Sequence, residues 1–259
     1  MRSYWIGVGI AAAGLALAAC GGAVQTSADG APRADSDEAC TERRRQYPVP
    51  EPAYNAKRPR DLSAFNATLA SLTDARRAEL DALLLEASVP QIQAALTGGR
   101  LTSVDLVAYY ADRIARYDVG RLNAVMELNP QALVVAAEMD VERAAAGPRG
   151  PLHGIPVLIK DNIATGDGLR TTAGAYALRD WQPARDAYLV ARLREAGAII
   201  LGKTNLSEWA NYMDRCMPNG FSTLGGQTYN PFGPFDASGS STGSAVAVSA
   251  SLSPVCVSS

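Results

Sequence analysis

A lysine and a run of small hydroxyl-bearing residues are the parts of this sequence that could do chemistry together. Lys160 follows the apolar segment 156–159, and the run SGSSTGS occupies residues 238–244. Removal from water disfavours the charged form of a lysine, so a buried Lys160 could act as a base near neutral pH. A serine beside a neutral lysine can take part in nucleophilic catalysis without a histidine. The two features together are typical of such a site.

Three other interpretations of these residues remain open at this point. A lysine at the mouth of a buried strand is commonly a paired or snorkelling surface group. The backbone N–H groups of Gly239 to Gly243 could hold a phosphate ahead of a helix beginning near Ser244. The run nevertheless lacks the Gly-Lys-[Ser/Thr] ending of a phosphate-binding loop. A Ser-His-Asp triad would need His153, the only histidine, which we expect to pack or hydrogen-bond in the turn 152–154.

The elements that must position these residues alternate along the chain. Helix patterns cover 73–87, a short segment from Ser88 to Gly98, and a segment capped by Thr102, with the capping-box spacing to Asp105. Beyond residue 123 the patterns predict strands at 124–128, 155–159 and 198–201, the last ended by Gly202, and helices at 130–146 and 187–196. Strands alternating with helices predict an α/β fold with a mostly buried sheet.

The first 60 residues differ from the rest. Residues 5–19 form an unbroken apolar run that ends in Leu17-Ala-Ala-Cys20, which is too short for a comfortable membrane span and is typical of a signal peptide. This ending resembles a bacterial lipoprotein signal in which Cys20 is lipidated, and a plain secretory signal is the alternative. We expect residues 1–20 to be a signal peptide and residues 21–60 to be a disordered, polar, proline-rich tether. The protein would then be exported and anchored to a membrane through lipid.

Composition narrows the remaining classes of function. The chain has 259 residues, with 24 Lys and Arg against 26 Asp and Glu, and this balance provides no basic field for nucleic acid. Three cysteines would remain besides the lipidated one: Cys40, Cys216 and Cys256. Their odd number and irregular spacing define no disulfide framework, and no Cys-x-x-Cys is present to ligate a metal. We expect no metal, cofactor or nucleic-acid partner.

Four ordered blocks carry a resemblance to a known family. They are GPLHGIPVLIKDNI (150–163), DAYLVARLREAGAIILGKTNLSEWAN (186–211), GGQTYNP (225–231) and SGSSTGSAVAVSA (238–250). Together they resemble the amidase signature family over roughly residue 89 to the end. The resemblance implies an α/β/α fold around a central mixed sheet, and hydrolysis of a carboxamide in a small molecule or peptide by a Ser–cis-Ser–Lys triad.

The resemblance also assigns roles by position. Lys160 matches the family's lysine, and Ser240, preceded by Gly239, matches its cis-serine. Neutral Lys160 would take a proton from the nucleophile through Ser240, so the two side chains should be hydrogen-bonded. Ser238 and Thr242 stand where the family usually has glycine, and Thr242 leaves the local backbone conformation open.

The resemblance places the nucleophilic serine and the oxyanion hole after residue 259. Residues 61–259 are therefore expected to be the N-terminal part of an amidase domain, helical to about residue 118 and α/β afterwards, and inactive by themselves. Two rivals stay open: a non-catalytic extracytoplasmic binding protein on the same fold, and the amidotransferase subunit that acts on charged tRNA. An export signal and the lack of basic charge argue against the second.

Overall fold

The part of the chain that can be described structurally is the folded domain. The computed structural model describes residues 38, 40, 56–213 and 216–259. The expected signal peptide (1–20) with Cys20, and most of the expected tether (21–60), lie outside these residues. Within them, no helix combines the length and the apolar character that crossing a membrane requires.

Between residue 56 and the first strand lie four α-helices, and the starts of three of them follow the predicted caps. They are α1 (Asn66–Ser71), α2 (Asp74–Leu84), α3 (Val89–Thr97) and α4 (Ser103–Arg113). Thr73 accepts a hydrogen bond from the backbone N–H of Arg76 at the start of α2. The capping box of α4 is present, because Thr102 and Asp105 each accept from the other's backbone N–H. The predicted helix starts are therefore confirmed.

The apolar face of α4 continues into an irregular helical segment, Ile114–Leu122. Leu106, Tyr110 and Ile114 on this face are buried, as their spacing predicts. Tyr117 is 36% exposed instead, and the guanidinium of Arg116 lies over its ring at 4.8 Å. The helical face therefore meets solvent near the end of this segment.

The strands form one mixed sheet and one small hairpin. They are β1 (Val125–Leu128), β2 (Pro156–Lys160), β3 (Ile199–Thr204), β4 (Phe221–Ser222), β5 (Gly226–Gln227) and β6 (Val255–Val257). The sheet order is β1-β3-β2-β6, with β1 antiparallel to β3 and with β3, β2 and β6 parallel. β4 and β5 pair as an antiparallel hairpin. The predicted mixed central sheet is confirmed.

Helices cover both faces of the sheet, which gives three layers. The remaining helices are α5 (Ala132–Ala146), α6 (Tyr188–Glu195) and α7 (Thr242–Ser249). Leu158 of β2 faces a core shared with α2 to α5 and α7, whereas Val157 and Ile159 face a second core that includes Val190 of α6. This alternation is the two-residue period of a strand that is buried on both faces.

β3 is longer than its sequence pattern predicts. Gly202 was expected to end the strand, but pairing continues through it to Thr204. A Cβ atom on Gly202 would lie 2.2 Å from the carbonyl oxygen of Glu127 in β1. Gly202 therefore permits the close approach of a neighbouring strand, which is a common use of glycine inside a sheet.

Candidate active site

Lys160 lies where three parallel strands end. Because β2, β3 and β6 run in the same direction, Lys160, Thr204 and Val257 share one edge of the sheet. β1 runs the other way and begins at that edge, with Val125 paired to Thr204. Side chains at the carboxyl ends of parallel strands commonly build sites in open α/β sheets. The segments that follow β2, β3 and β6 and the segment that precedes β1 therefore all meet at this edge of the sheet.

The Lys160 amine is buried beside two serine hydroxyls. Its Nζ donates to the hydroxyl of Ser240 at 2.8 Å, to that of Ser241 at 3.0 Å and to the main-chain oxygen of Ser259 at 2.9 Å. The residue has 0% exposure, and no Asp or Glu side chain among the described residues acts on its charge. Burial lowers the pKa of Lys160 below its ordinary value of 10.5. The predicted contact between Lys160 and Ser240 is confirmed.

The turn that carries Ser240 has an unusual backbone. The Gly239–Ser240 peptide bond is cis, as the resemblance implies, and Ser238 has a φ of 56°. The carbonyl oxygen of Ser240 accepts from the backbone N–H of Ser207 at 3.0 Å. Thr242 lies in the first turn of α7 with no positive φ, and its hydroxyl donates to the Ser238 carbonyl oxygen. The two departures from the family's glycines are therefore accommodated.

The small side chains of the run are explained by how closely α7 approaches the sheet. A Cβ atom on Gly243 would lie 2.4 Å from the Asn205 carbonyl oxygen and 2.5 Å from that of Ala124. The hydroxyls of Ser244 and Thr204 are 2.7 Å apart and share a hydrogen bond. The first turn of α7 therefore rests directly on the strand ends, and this contact brings Ser240 and Ser241 to Lys160.

The contacts in the structure argue against the other interpretations of Lys160, His153 and the run 238–244. The backbone N–H of Gly243 donates to the Asn205 carbonyl oxygen at 3.1 Å, so this group is not free for a phosphate. His153 is buried, and its Nε2 lies 2.9 Å from the Met139 carbonyl oxygen. The expected packing and hydrogen-bonding role of His153 is confirmed. Lys160 is not a snorkelling surface group, since it is fully buried.

Two buried ionisable residues, Asp161 and Lys203, support the segment after Lys160, and the sequence patterns did not identify them. Asp161 accepts from the backbone N–H groups of Thr172 at 3.1 Å and Gly174 at 3.4 Å. Burial raises the pKa of Asp161 to about 6, opposed by the nearby charge of Lys203. Lys203 donates to the hydroxyl of Thr171 at 2.9 Å, and burial lowers its pKa. These contacts hold the loop 161–174 against the end of β2.

Other supporting residues had weak signals in the sequence. Ser241 also accepts from the Lys160 amine, at 3.0 Å against 2.8 Å for Ser240, and in the sequence only its place beside Ser240 indicates this. Ser207 donates its backbone N–H to the Ser240 carbonyl oxygen; it lies in the block 186–211, but the resemblance assigned it no role. Cys40 and Cys216 form a disulfide, a pairing that the cysteine spacing left open, and Cys256 is free.

The segment that contains the lysine, the adjacent serines and the mixed sheet was compared with known protein families. A family model described as Amidase matches residues 105–259. The chain belongs to the amidase family. The match includes the mixed sheet and both Lys160 and Ser240.

Known members of the family resemble the chain over its larger part. A Schizosaccharomyces pombe protein assigned to the amidases is 45% identical over 170 residues, which cover 65% of this chain and 29% of that protein. A glutamyl-tRNA(Gln) amidotransferase subunit from Azoarcus sp. is 38% identical over 173 residues, covering 66% and 34%. The solved native peptide amidase from Stenotrophomonas maltophilia is 53% identical, with a TM-score of 0.63, covering 65% and 35%. The chain thus spans about a third of the length of the curated relatives it matches.

Proposed function

We propose that the protein hydrolyses the C–N bond of a carboxamide, with Lys160 as the base and Ser240 as the proton relay. The observation that carries this proposal is the 2.8 Å contact between the buried Lys160 amine and the Ser240 hydroxyl, with no Asp or Glu side chain among the described residues acting on the amine. An amine that is easily neutralised, beside a hydroxyl that can both accept and donate, provides a path for a proton. Hydrolysis of an amide is also the reaction named by the amidase family to which the chain belongs.

The proposed reaction passes through an acyl-enzyme. A serine hydroxyl, which the proposal assigns to the chain beyond residue 259, attacks the carbonyl carbon while its proton moves through the Ser240 hydroxyl to the Lys160 amine. The resulting ammonium returns the proton to the nitrogen of the leaving group as the C–N bond breaks. Water then attacks the ester, and the acid and the free serine are released. The 53% identity to a peptide amidase supports a peptide amide as substrate, and a small-molecule amide is the alternative.

The test uses the protein extended by its native downstream sequence. Release of ammonia from C-terminally amidated peptides is measured for the wild type, Lys160→Met, Ser240→Ala and the control Ser249→Ala, whose side chain is exposed on α7. We expect Lys160→Met and Ser240→Ala to lower kcat/KM by about 10²–10⁴, the range of general acid–base catalysis, and the control to leave it unchanged. Retention of near wild-type activity by Lys160→Met would overturn the proposal.

The same assay on residues 1–259 tests where the nucleophile lies. We expect no ammonia release above background, because the proposal assigns the attacking serine to a later segment. Activity of this shorter protein that is lost in Ser240→Ala would show that Ser240 attacks the substrate itself.

We also propose that the protein is exported and held at a membrane by lipid on Cys20. The apolar run and the Leu17-Ala-Ala-Cys20 ending support this. The Cys40–Cys216 disulfide supports it independently, since stable disulfides are formed mainly in oxidising compartments outside the cytoplasm.

A further inference from the structure

The Cys40–Cys216 disulfide joins two distant parts of the chain. Cys40 precedes the residues that match the family, whereas Cys216 belongs to the loop that follows the helical turn Glu208–Asn211. The two cysteines are 176 residues apart, and Cys40 is buried. A segment before the family domain is thereby fastened to a loop within it.

Asn219, three residues after Cys216, makes hydrogen bonds to three other segments of the chain. Its Oδ1 accepts from the side-chain amide of Asn211 at 3.1 Å, and its Nδ2 donates to the Asp236 carboxylate at 3.0 Å. Its backbone carbonyl oxygen accepts from the Gln227 side chain at 2.7 Å. Asn219 thus ties together the segments before and after the β4–β5 hairpin.

These contacts continue to the turn that carries Ser240. Asp236 accepts from the backbone N–H of Ser238 at 3.0 Å. The Asn219 Oδ1 lies 3.4 Å from the place where a Cβ atom on Gly239 would stand, so it closes one side of the turn. The Ser207 hydroxyl lies 2.9 Å from the same position; it accepts from the backbone N–H of Gly220 at 2.9 Å, and the Ser207 N–H donates to the Ser240 carbonyl oxygen at 3.0 Å. The loop 216–220 therefore contacts the turn directly through Asn219 and indirectly through Ser207.

We propose that the Cys40–Cys216 disulfide and Asn219 are positioning elements that hold the Gly239–Ser240 turn against Lys160. The proposal rests on the proposed function only in treating this turn as catalytic. Cutting the disulfide frees the loop, and replacing Asn219 removes its link to Asp236. Either change lets the turn move and lets water reach the Lys160 amine.

The first test is amide hydrogen exchange on the protein extended by its native downstream sequence, followed by mass spectrometry. It compares the wild type with Cys40→Ser/Cys216→Ser and Asn219→Ala, and the free-cysteine variant Cys256→Ser is the control. We expect exchange in residues 236–242 to become at least about tenfold faster in both test variants, with strands β2 and β3 unchanged. Unchanged exchange in 236–242 in Asn219→Ala would overturn the proposal, as would equal acceleration in the strands, which indicates general destabilisation.

The second readout is the pH titration of the Lys160 amine, followed by NMR of the protein labelled with nitrogen-15 in its lysine side chains. We expect the midpoint to move towards that of an ordinary lysine in both test variants, because water reaching the amine stabilises its charged form. An unmoved midpoint would contradict the proposal, since a role confined to overall stability leaves the surroundings of Lys160 intact. Neither readout requires turnover, so failure of the wild type to hydrolyse amides would sink the proposed function and leave this inference standing.

Discussion

At the scale of single residues, the proposed chemistry depends on the surroundings of Lys160. A lysine in water is charged at neutral pH, whereas Lys160 is fully buried and its contacts are to the oxygens of serine residues. A carboxylate partner would stabilise the ammonium and prevent its use as a base. Asp161, the next residue, directs its carboxylate instead to the backbone of Thr172 and Gly174. The neighbouring acid therefore braces a loop and leaves the amine easy to deprotonate.

This environment predicts the pH profile of the extended protein. Burial lowers the pKa of Lys160 from 10.5, so the neutral, base-competent form is present at lower pH than for a free lysine. We expect kcat/KM for a peptide amide to rise with pH and to level off above this lowered pKa, since kcat/KM reports groups of the free enzyme. A rise centred at or above 10.5 would contradict the assignment.

The lowered pKa of Lys160 also makes the free energy of unfolding depend on pH. Between the lowered pKa and 10.5, the unfolded chain binds a proton at Lys160 that the folded chain does not bind. The free energy of unfolding contributed by this group therefore increases as the pH rises through that interval.

At the scale of elements, the site is made by the contact between helix α7 and the end of the sheet. The first turn of α7 contains Gly243 and Ser244, and both meet the strand ends directly. Ser241 lies just before this turn and Ser240 one residue earlier, so the distance from helix to sheet decides whether the serines reach Lys160. The absence of a side chain at residue 243 is thus a requirement of the site.

Gly243→Ala tests this requirement. The added methyl group would overlap the backbone oxygens of Asn205 and Ala124, which cannot turn away as a side chain can. We expect a loss of about 3 kcal/mol in the free energy of unfolding, at the upper end of the usual cost of overpacking. Urea unfolding measures the loss. Gly150→Ala is the matched control, because a Cβ atom there meets nothing within 4 Å. Equal midpoints for the two variants would contradict the close approach.

At the scale of the whole molecule, a folded α/β/α domain follows a segment of different composition. Residues 105–259 match the family, and the disulfide at Cys216 fastens Cys40, from the preceding segment, to the domain. A lipid on Cys20 would place the anchor 20 residues before this covalent link. The domain would then be held near a membrane by a short tether.

Metabolic labelling of cells with a clickable fatty acid tests the anchor. We expect the wild type to take up the label and Cys20→Ala to lose it, because the lipidated thiol is gone. Cys256→Ser is the control for the loss of a cysteine elsewhere. Equal labelling of the wild type and Cys20→Ala would show that Cys20 carries no lipid.

Short-range patterns determined much of the fold. The caps at Thr73 and Thr102 and the apolar runs at 155–159 and 198–201 predicted helices and strands that the structure contains, within a few residues at most ends. These signals act between neighbours in sequence, through backbone hydrogen bonds and the spacing of apolar side chains, so the sequence displays them directly. Lys160 and Ser240 were identified differently, by their places in two of the four blocks that resemble the amidase signature family.

Only the tertiary structure decided which distant residues meet. The family resemblance predicted the contact between Lys160 and Ser240, but no local pattern does, because the contact spans 80 residues and depends on the strand order and on the packing of α7 against the sheet. The continuation of β3 through Gly202, the pairing of Cys40 with Cys216 and the role of Asn219 depend likewise on which backbones lie side by side. Such contacts form when burial of apolar faces brings the elements together, and no local pattern encodes that arrangement.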